Sequence, residues 1–122
     1  MKLQDIRYKN IDEKSKLITD NLGNKIDNGV RELVVLLNYH KIGTTQSCWG
    51  HKNWGLPYPW VDIHKKYLGN ILEIIEGLDI ETENIDETIR IQPKIKTLKK
   101  GREIFKGLKN KLKHFTGTLI IN

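Results

Sequence analysis

The chain is 122 residues long, 38% apolar and 30% charged, with a formal charge of +6; this size and balance fit one soluble globular domain, residues 1–122, around a single core. No apolar run approaches the roughly 18–20 residues that a bilayer span requires, and the polar opening MKLQDIRYKNIDEK lacks the apolar stretch of a secretory signal. No membrane partner and a cytoplasmic location are therefore expected, and the single cysteine, Cys48, agrees with a reducing compartment because it has no disulfide partner within the chain.

In chain order, residues 12–22 read as a polar, helical lead-in, and GNKIDNG is a turn cluster in which Asp27 or Asn28 can cap the next helix. Val30 to about Lys41, with Leu33, Val34, Leu36 and Leu37, is the most apolar helix, and Gly43 is placed to end it. TTQSC and PYPWVDIH read as extended segments, since Thr, Trp, Tyr and Val suit strands and Pro57 and Pro59 restrict their neighbours to extended conformations. Residues 65–78 return to a helical period with Leu68, Ile71, Leu72, Ile75 and Leu78 on one face. Ile85, Ile89 and Ile91 then alternate with polar residues as in a half-buried strand that Pro93 stops. A basic helix follows, with Leu98, Phe105, Leu108, Leu112 and Phe115 as its apolar stripe, and TGTLIIN closes the chain as a short strand. This order predicts an α+β fold: a single compact domain with a short mixed or antiparallel sheet packed against about three helices.

Chemistry-bearing residues concentrate between 44 and 64, TTQSCWGHKNWGLPYPWVDIH, which holds all three tryptophans, the one cysteine, two of the four histidines and two of the three prolines. If residues 46–51 and 59–64 pair as antiparallel strands with Cys48 opposite His64, alternation puts Cys48, Asp62 and His64 on one face and His51 at the loop mouth. Cys48, His51, Asp62 and His64 are then the candidate catalytic or zinc-ligating set, because thiolate, imidazole and carboxylate are the usual zinc ligands. The same thiol and imidazoles could act without metal, as nucleophile and base. Against both stands a plain reading of Cys48 as a small buried hydrophobe. His40 and His114 read as surface or capping residues.

The aromatic residues favour recognition over reaction. Trp49, Trp54, Tyr58 and Trp60 offer flat faces to a planar group, Gly50 and Gly55 allow close backbone approach, and Ser47, Thr44 and Thr45 can hydrogen-bond phosphate. Trp49 and Trp60 serve equally well as core plugs, whereas Trp54 lies in a polar loop. A hydrophobic helix followed by this string resembles a group of small bacterial and phage proteins that carry SCxGH and then GxPYPWV; the resemblance covers about a third of the chain and implies a shared site. TTQSCWGH is also similar to the TTxSCxGR stretch of the wybutosine-synthesis tRNA methyltransferases. His51 stands where that family has arginine, and no GxGxxG loop is present, which weighs against methyl transfer.

Residues 94–114 carry nine Lys or Arg against Glu103 alone, leaving twelve basic and fourteen acidic residues elsewhere, so the whole excess charge lies in the last helix. Such a helix can meet nucleic-acid phosphates or stay merely solvated. The expected function is binding, without catalysis, of a nucleotide or other phosphorylated small molecule through Ser47, His51, Lys52, Trp54, Tyr58 and Arg102; the phage resemblance extends this to sequestration of a host signalling nucleotide. The alternatives are a metal- or thiol-dependent enzyme acting on nucleotide or RNA, and a basic nucleic-acid-binding module. The binding reading requires no cofactor, zinc enters only with the metal alternative, and self-association into an oligomer is compatible with the sequence.

Overall fold

The computed structural model describes residues 5–17 and 25–114. Four helices, α1 (Asp5–Ser15), α2 (Asn28–Tyr39), α3 (Leu68–Ile75) and α4 (Leu98–His114), accompany four strands, β1 (Thr44–Cys48), β2 (Trp60–His64), β3 (Ile80–Ile85) and β4 (Thr88–Pro93). The sheet is antiparallel throughout in the order β1-β2-β4-β3, so the fold is the expected α+β arrangement. The closing TGTLIIN segment and Phe115 lie outside the described residues.

Burial follows from period. Along β2, Val61 and Ile63 are fully buried, and their β4 partners Ile91 and Ile89 join them in one core with Leu33, Leu36 and Leu37 of α2, Ile71 and Ile74 of α3, and Phe105, Leu108 and Leu112 of α4. The helices α2, α3 and α4 therefore pack on the Val61/Ile63 face, and the alternate residues Trp60, Asp62 and His64 point to the other face. The N-terminal helix α1 begins at Asp5, ahead of the expected 12–22 lead-in, and ends at Ser15; it packs on α2 through an edge-on Tyr8–Tyr39 contact and an Arg31–Asp12 ion pair.

Three local expectations change. The apolar helix ends at Tyr39, and the left-handed residue after it is Lys41 (φ 65°), not Gly43. Ile42 N–H bonds the Leu37 carbonyl at 2.9 Å and Lys41 N–H bonds Asn38 at 2.9 Å, the paired hydrogen bonds that close a helix when the following residue, here Ile42, turns back into the core. In the 65–78 segment, residues Lys65–Tyr67 form a 3₁₀ turn before α3, which rotates the following face: Ile71, Ile74 and Ile75 are buried, while Leu68 and Leu72 are exposed. His40 is also not a surface residue. It is 3% exposed, and its Nε2 lies 2.9 Å from the Leu112 carbonyl in the last turn of α4.

Candidate functional site

Between β1 and β2 the chain makes the 49–59 connection. Cys48 pairs with Trp60, Ser47 with Val61 and Gln46 with Asp62. The expected pairing of Cys48 with His64 is therefore wrong by four residues; His64 sits at the far end of β2, opposite Thr88 of β4. Pro59, which has no N–H for the ladder, immediately precedes β2, and the pairing with β1 starts at Trp60 opposite Cys48.

The loop is held from two sides. Gly50 takes φ 94°, and a Cβ there would stand 2.8 Å from Leu98 Cδ1 and 2.9 Å from the Tyr58 carbonyl carbon, so only glycine fits. From α4, Arg102 donates through Nε to the Trp49 carbonyl at 3.0 Å and through a terminal nitrogen to the Gly50 carbonyl at 3.2 Å. Its guanidinium carbon lies 5.4 Å from the centre of the Trp49 ring, with Lys109 Nζ at 5.7 Å. The Trp49 ring in turn lies on Gly29 at the start of α2, where a Cβ would come within 2.2 Å of Trp49 Cδ1. Arg102, expected to neutralise phosphate, thus fixes the loop, and Trp49 is a packing residue. At the tip Trp54 is 70% exposed and stacks on His51 with ring centres 3.6 Å apart and planes 21° from parallel. Tyr58 lies beneath Lys96 Nζ at 5.8 Å, and Lys52 is exposed.

Cys48, Asp62 and His64, expected to share a face with His51 at the loop mouth, separate into three places. Asp62, 3% exposed, accepts two hydrogen bonds from Arg90, at 2.8 and 3.0 Å, and the Arg90 guanidinium lies 4.0 Å from the Trp60 ring centre. His64 Nδ1 accepts from Lys66 N–H at 3.1 Å and caps the 3₁₀ turn. Cys48 and His51 do meet, and their companion is Asp27: Cys48 Sγ, a ring nitrogen of His51 and a carboxylate oxygen of Asp27 all lie within 4.8 Å of one another. Asp27 was legible only as a helix cap. It occupies the N-cap position of α2 but makes no side-chain capping bond; its carboxylate instead accepts from Trp49 N–H at 3.2 Å. Burial pushes the Cys48 thiol above its ordinary pKa; the Gly50 N–H opposes part of the rise, the Asp27 charge adds to it and Arg102 opposes it to a lesser extent. That direction opposes a free thiolate nucleophile.

Beside the free edge of β1 lies a cavity of about 650 Å³, walled by α1, the Lys25–Ile26 segment, α2 and β1. Ser47, Thr44 and Thr45 line it together with Lys14, Lys25 and Trp60. Asn38 ties its walls together, donating to the Val34 carbonyl at 2.8 Å and to Thr44 Oγ1 at 3.1 Å. Of the expected ligand-binding set only Ser47 is in the lining; His51, Lys52, Trp54, Tyr58 and Arg102 are elsewhere. Lys14 and Lys25 were missed because their segments carry no motif, and only tertiary packing brings them to β1.

The basic helix is partly turned inward. Lys109 and Lys113 pair with Glu32 of α2 at 3.7 and 3.2 Å, Lys111 donates to the Glu76 carbonyl at 2.6 Å, and Arg102 holds the loop. Among the described residues no helix is long and apolar enough to cross a membrane. Comparison with protein-family models, with curated proteins and with solved structures finds no match to the chain.

Proposed function

We propose that this chain binds a nucleotide or similarly sized phosphorylated molecule in the cavity beside β1, without turning it over. The observation that carries the reading is the cavity itself. About 650 Å³ falls within the range of roughly 300–1,000 Å³ common for small-molecule sites, and its lining combines two lysines, four hydroxyl side chains and one aromatic ring. Lysine ammonium groups and hydroxyls suit phosphate oxygens; an indole suits a planar base. The resemblance of the SCWGH and GLPYPWV strings to phage proteins supports sequestration of a host signalling nucleotide as the use of such a site.

The test is to denature the purified chain, identify released small molecules by mass spectrometry, and titrate the emptied protein with a panel of mono- and dinucleotides by calorimetry. A nucleotide recovered chemically unchanged after long incubation with the protein fits sequestration. Lys14→Glu combined with Lys25→Glu should weaken binding at least about tenfold, the loss expected for a charge-assisted contact turned repulsive. Trp54→Ala should leave affinity within about twofold, because the Trp54 ring is outside the cavity. Affinity unchanged by the double reversal, or lost with Trp54→Ala, removes the cavity as the site.

A further inference from the structure

A second site lies outside that cavity, and none of its side chains is among the cavity lining. We infer that Asp27, Cys48 and His51 form a three-ligand zinc site at the point where the start of α2, the end of β1 and the 49–59 loop converge.

The argument begins with distances. Zinc takes sulfur at about 2.3 Å and nitrogen or oxygen at about 2.0–2.2 Å, so neighbouring ligand atoms of a tetrahedral ion stand roughly 3.3–3.7 Å apart. The three atoms here already lie within 4.8 Å of one another, and small side-chain rotations close the remainder. Donor type selects the ion: one thiolate, one imidazole and one carboxylate suit zinc, whereas magnesium and calcium require oxygen sets. Three protein ligands leave a fourth tetrahedral position for water or a bound molecule, on the side where Asp27 is exposed.

Each ligand is also oriented by a neighbour. Gly50 N–H donates to Cys48 Sγ at 3.3 Å, and Trp49 N–H donates to Asp27 Oδ2 at 3.2 Å. The His51 ring is stacked on Trp54, and its backbone N–H bonds the Leu56 carbonyl at 3.1 Å. Supports of this kind fix ligand orientation around metals. An aspartate at an N-cap ordinarily turns its carboxylate onto the first N–H groups of the helix, but Asp27 turns its own toward the loop, next to Cys48. The left-handed turn at Gly50 is what brings positions 48 and 51 back onto one point. When the ion binds, the Cys48 S–H bond breaks, its proton leaves to buffer and the sulfur lone pair bonds to zinc.

The experiment uses the full chain stripped with chelator and titrated with Co²⁺ as a spectroscopic substitute, then with Zn²⁺ in competition with a chromophoric chelator. One ion per chain should bind, with a near-ultraviolet thiolate-to-cobalt charge-transfer band and visible bands of tetrahedral intensity. Cys48→Ser should abolish the charge-transfer band; Asp27→Asn and His51→Gln should each weaken Zn²⁺ binding at least about tenfold, and His64→Gln should leave it unchanged. Should Cys48→Ser not fold, the exposed Asp27 and the loop residue His51 decide the matter. Absence of the charge-transfer band in the unmodified chain, or unchanged affinity in both Asp27→Asn and His51→Gln, overturns the site. No nucleotide is present in this titration, so its outcome is separate from that of the cavity experiment.

Discussion

Asp62 shows how one side chain can look functional in a sequence and be structural in the fold. A carboxylate that is 3% exposed needs a cation, and Arg90 supplies a two-pronged one across the β2–β4 pairing. Asp62 in turn holds the Arg90 guanidinium more firmly protonated. Nothing in WVDIH announces that partner, which stands 28 residues downstream. Cys48 and His51 were legible together because only Trp49 and Gly50 separate them, whereas Asp27 was not, since its role depends on α2 meeting the end of β1. His40 makes the same point with a measurable consequence. A carbonyl only accepts, so His40 Nε2 carries the proton donated to Leu112, leaving Nδ1 bare, buried and without a hydrogen-bond partner among the described residues. Burial lowers the His40 pKa below its ordinary 6.5. Below that value the unfolded chain takes up a proton that the folded chain resists, so this residue makes stability fall with decreasing pH until the lowered folded pKa is reached. Urea midpoints measured from neutral pH downward should show a decline that is smaller in His40→Gln; an identical profile in the variant would assign the decline to other groups.

Among the elements, those with a strong period were readable and those closed by tertiary contacts were not. The apolar run of α2, the Thr-rich strand β1 and the strand β2 that starts at Trp60 fall where residue types and spacing put them. The strand β3, IETENI, was not legible: only its last residue, Ile85, entered the expected strand, because Asp86 continues a polar alternation into Ile89 and Ile91. In the fold Asp86 instead takes φ 53° in a two-residue turn, with Ile85 paired to Thr88. Aspartate tolerates the left-handed region better than most residues, and a β-branched residue tolerates it poorly. Asp86→Val should therefore destabilise the fold by about 1–2 kcal/mol, while Asp86→Gly should be neutral or slightly stabilising. Thermal unfolding of the two variants checks the pair; equal effects would place the turn's stability in something other than its backbone conformation. The stripe of α4 was likewise legible, with Phe105, Leu108 and Leu112 buried as expected. The inward pairing of its cations was not legible, because a lysine stem can lie along a helix and reach a carboxylate on the neighbouring element, as Lys109 and Lys113 reach Glu32.

At the scale of the molecule, that inward use of charge reduces what α4 presents to a polyanion. Arg102, Lys109, Lys111 and Lys113 all contact the rest of the chain, and Lys100 pairs with Glu103 at 3.4 Å. Lys99 and Lys106 remain as exposed lysines on the helix, with no ion pair or hydrogen bond among the described residues. Each neutralised duplex phosphate adds about −0.9 to the salt slope, so binding of a short duplex by this helix should give a slope no steeper than about −2, reduced in Lys99→Ala with Lys106→Ala. A much steeper slope would show that the inward pairs open to meet nucleic acid. The position of Arg102 has one more effect, on timing during synthesis. The loop carbonyls it holds precede it by 53 and 52 residues. During synthesis the contacts of Trp49 with Asp27 and Gly29 can therefore form as soon as the loop exists, whereas the Arg102 clamp waits until α4 has emerged from the ribosome and docked. The final fixing of the Trp49–Gly50 backbone is thus a late step of folding.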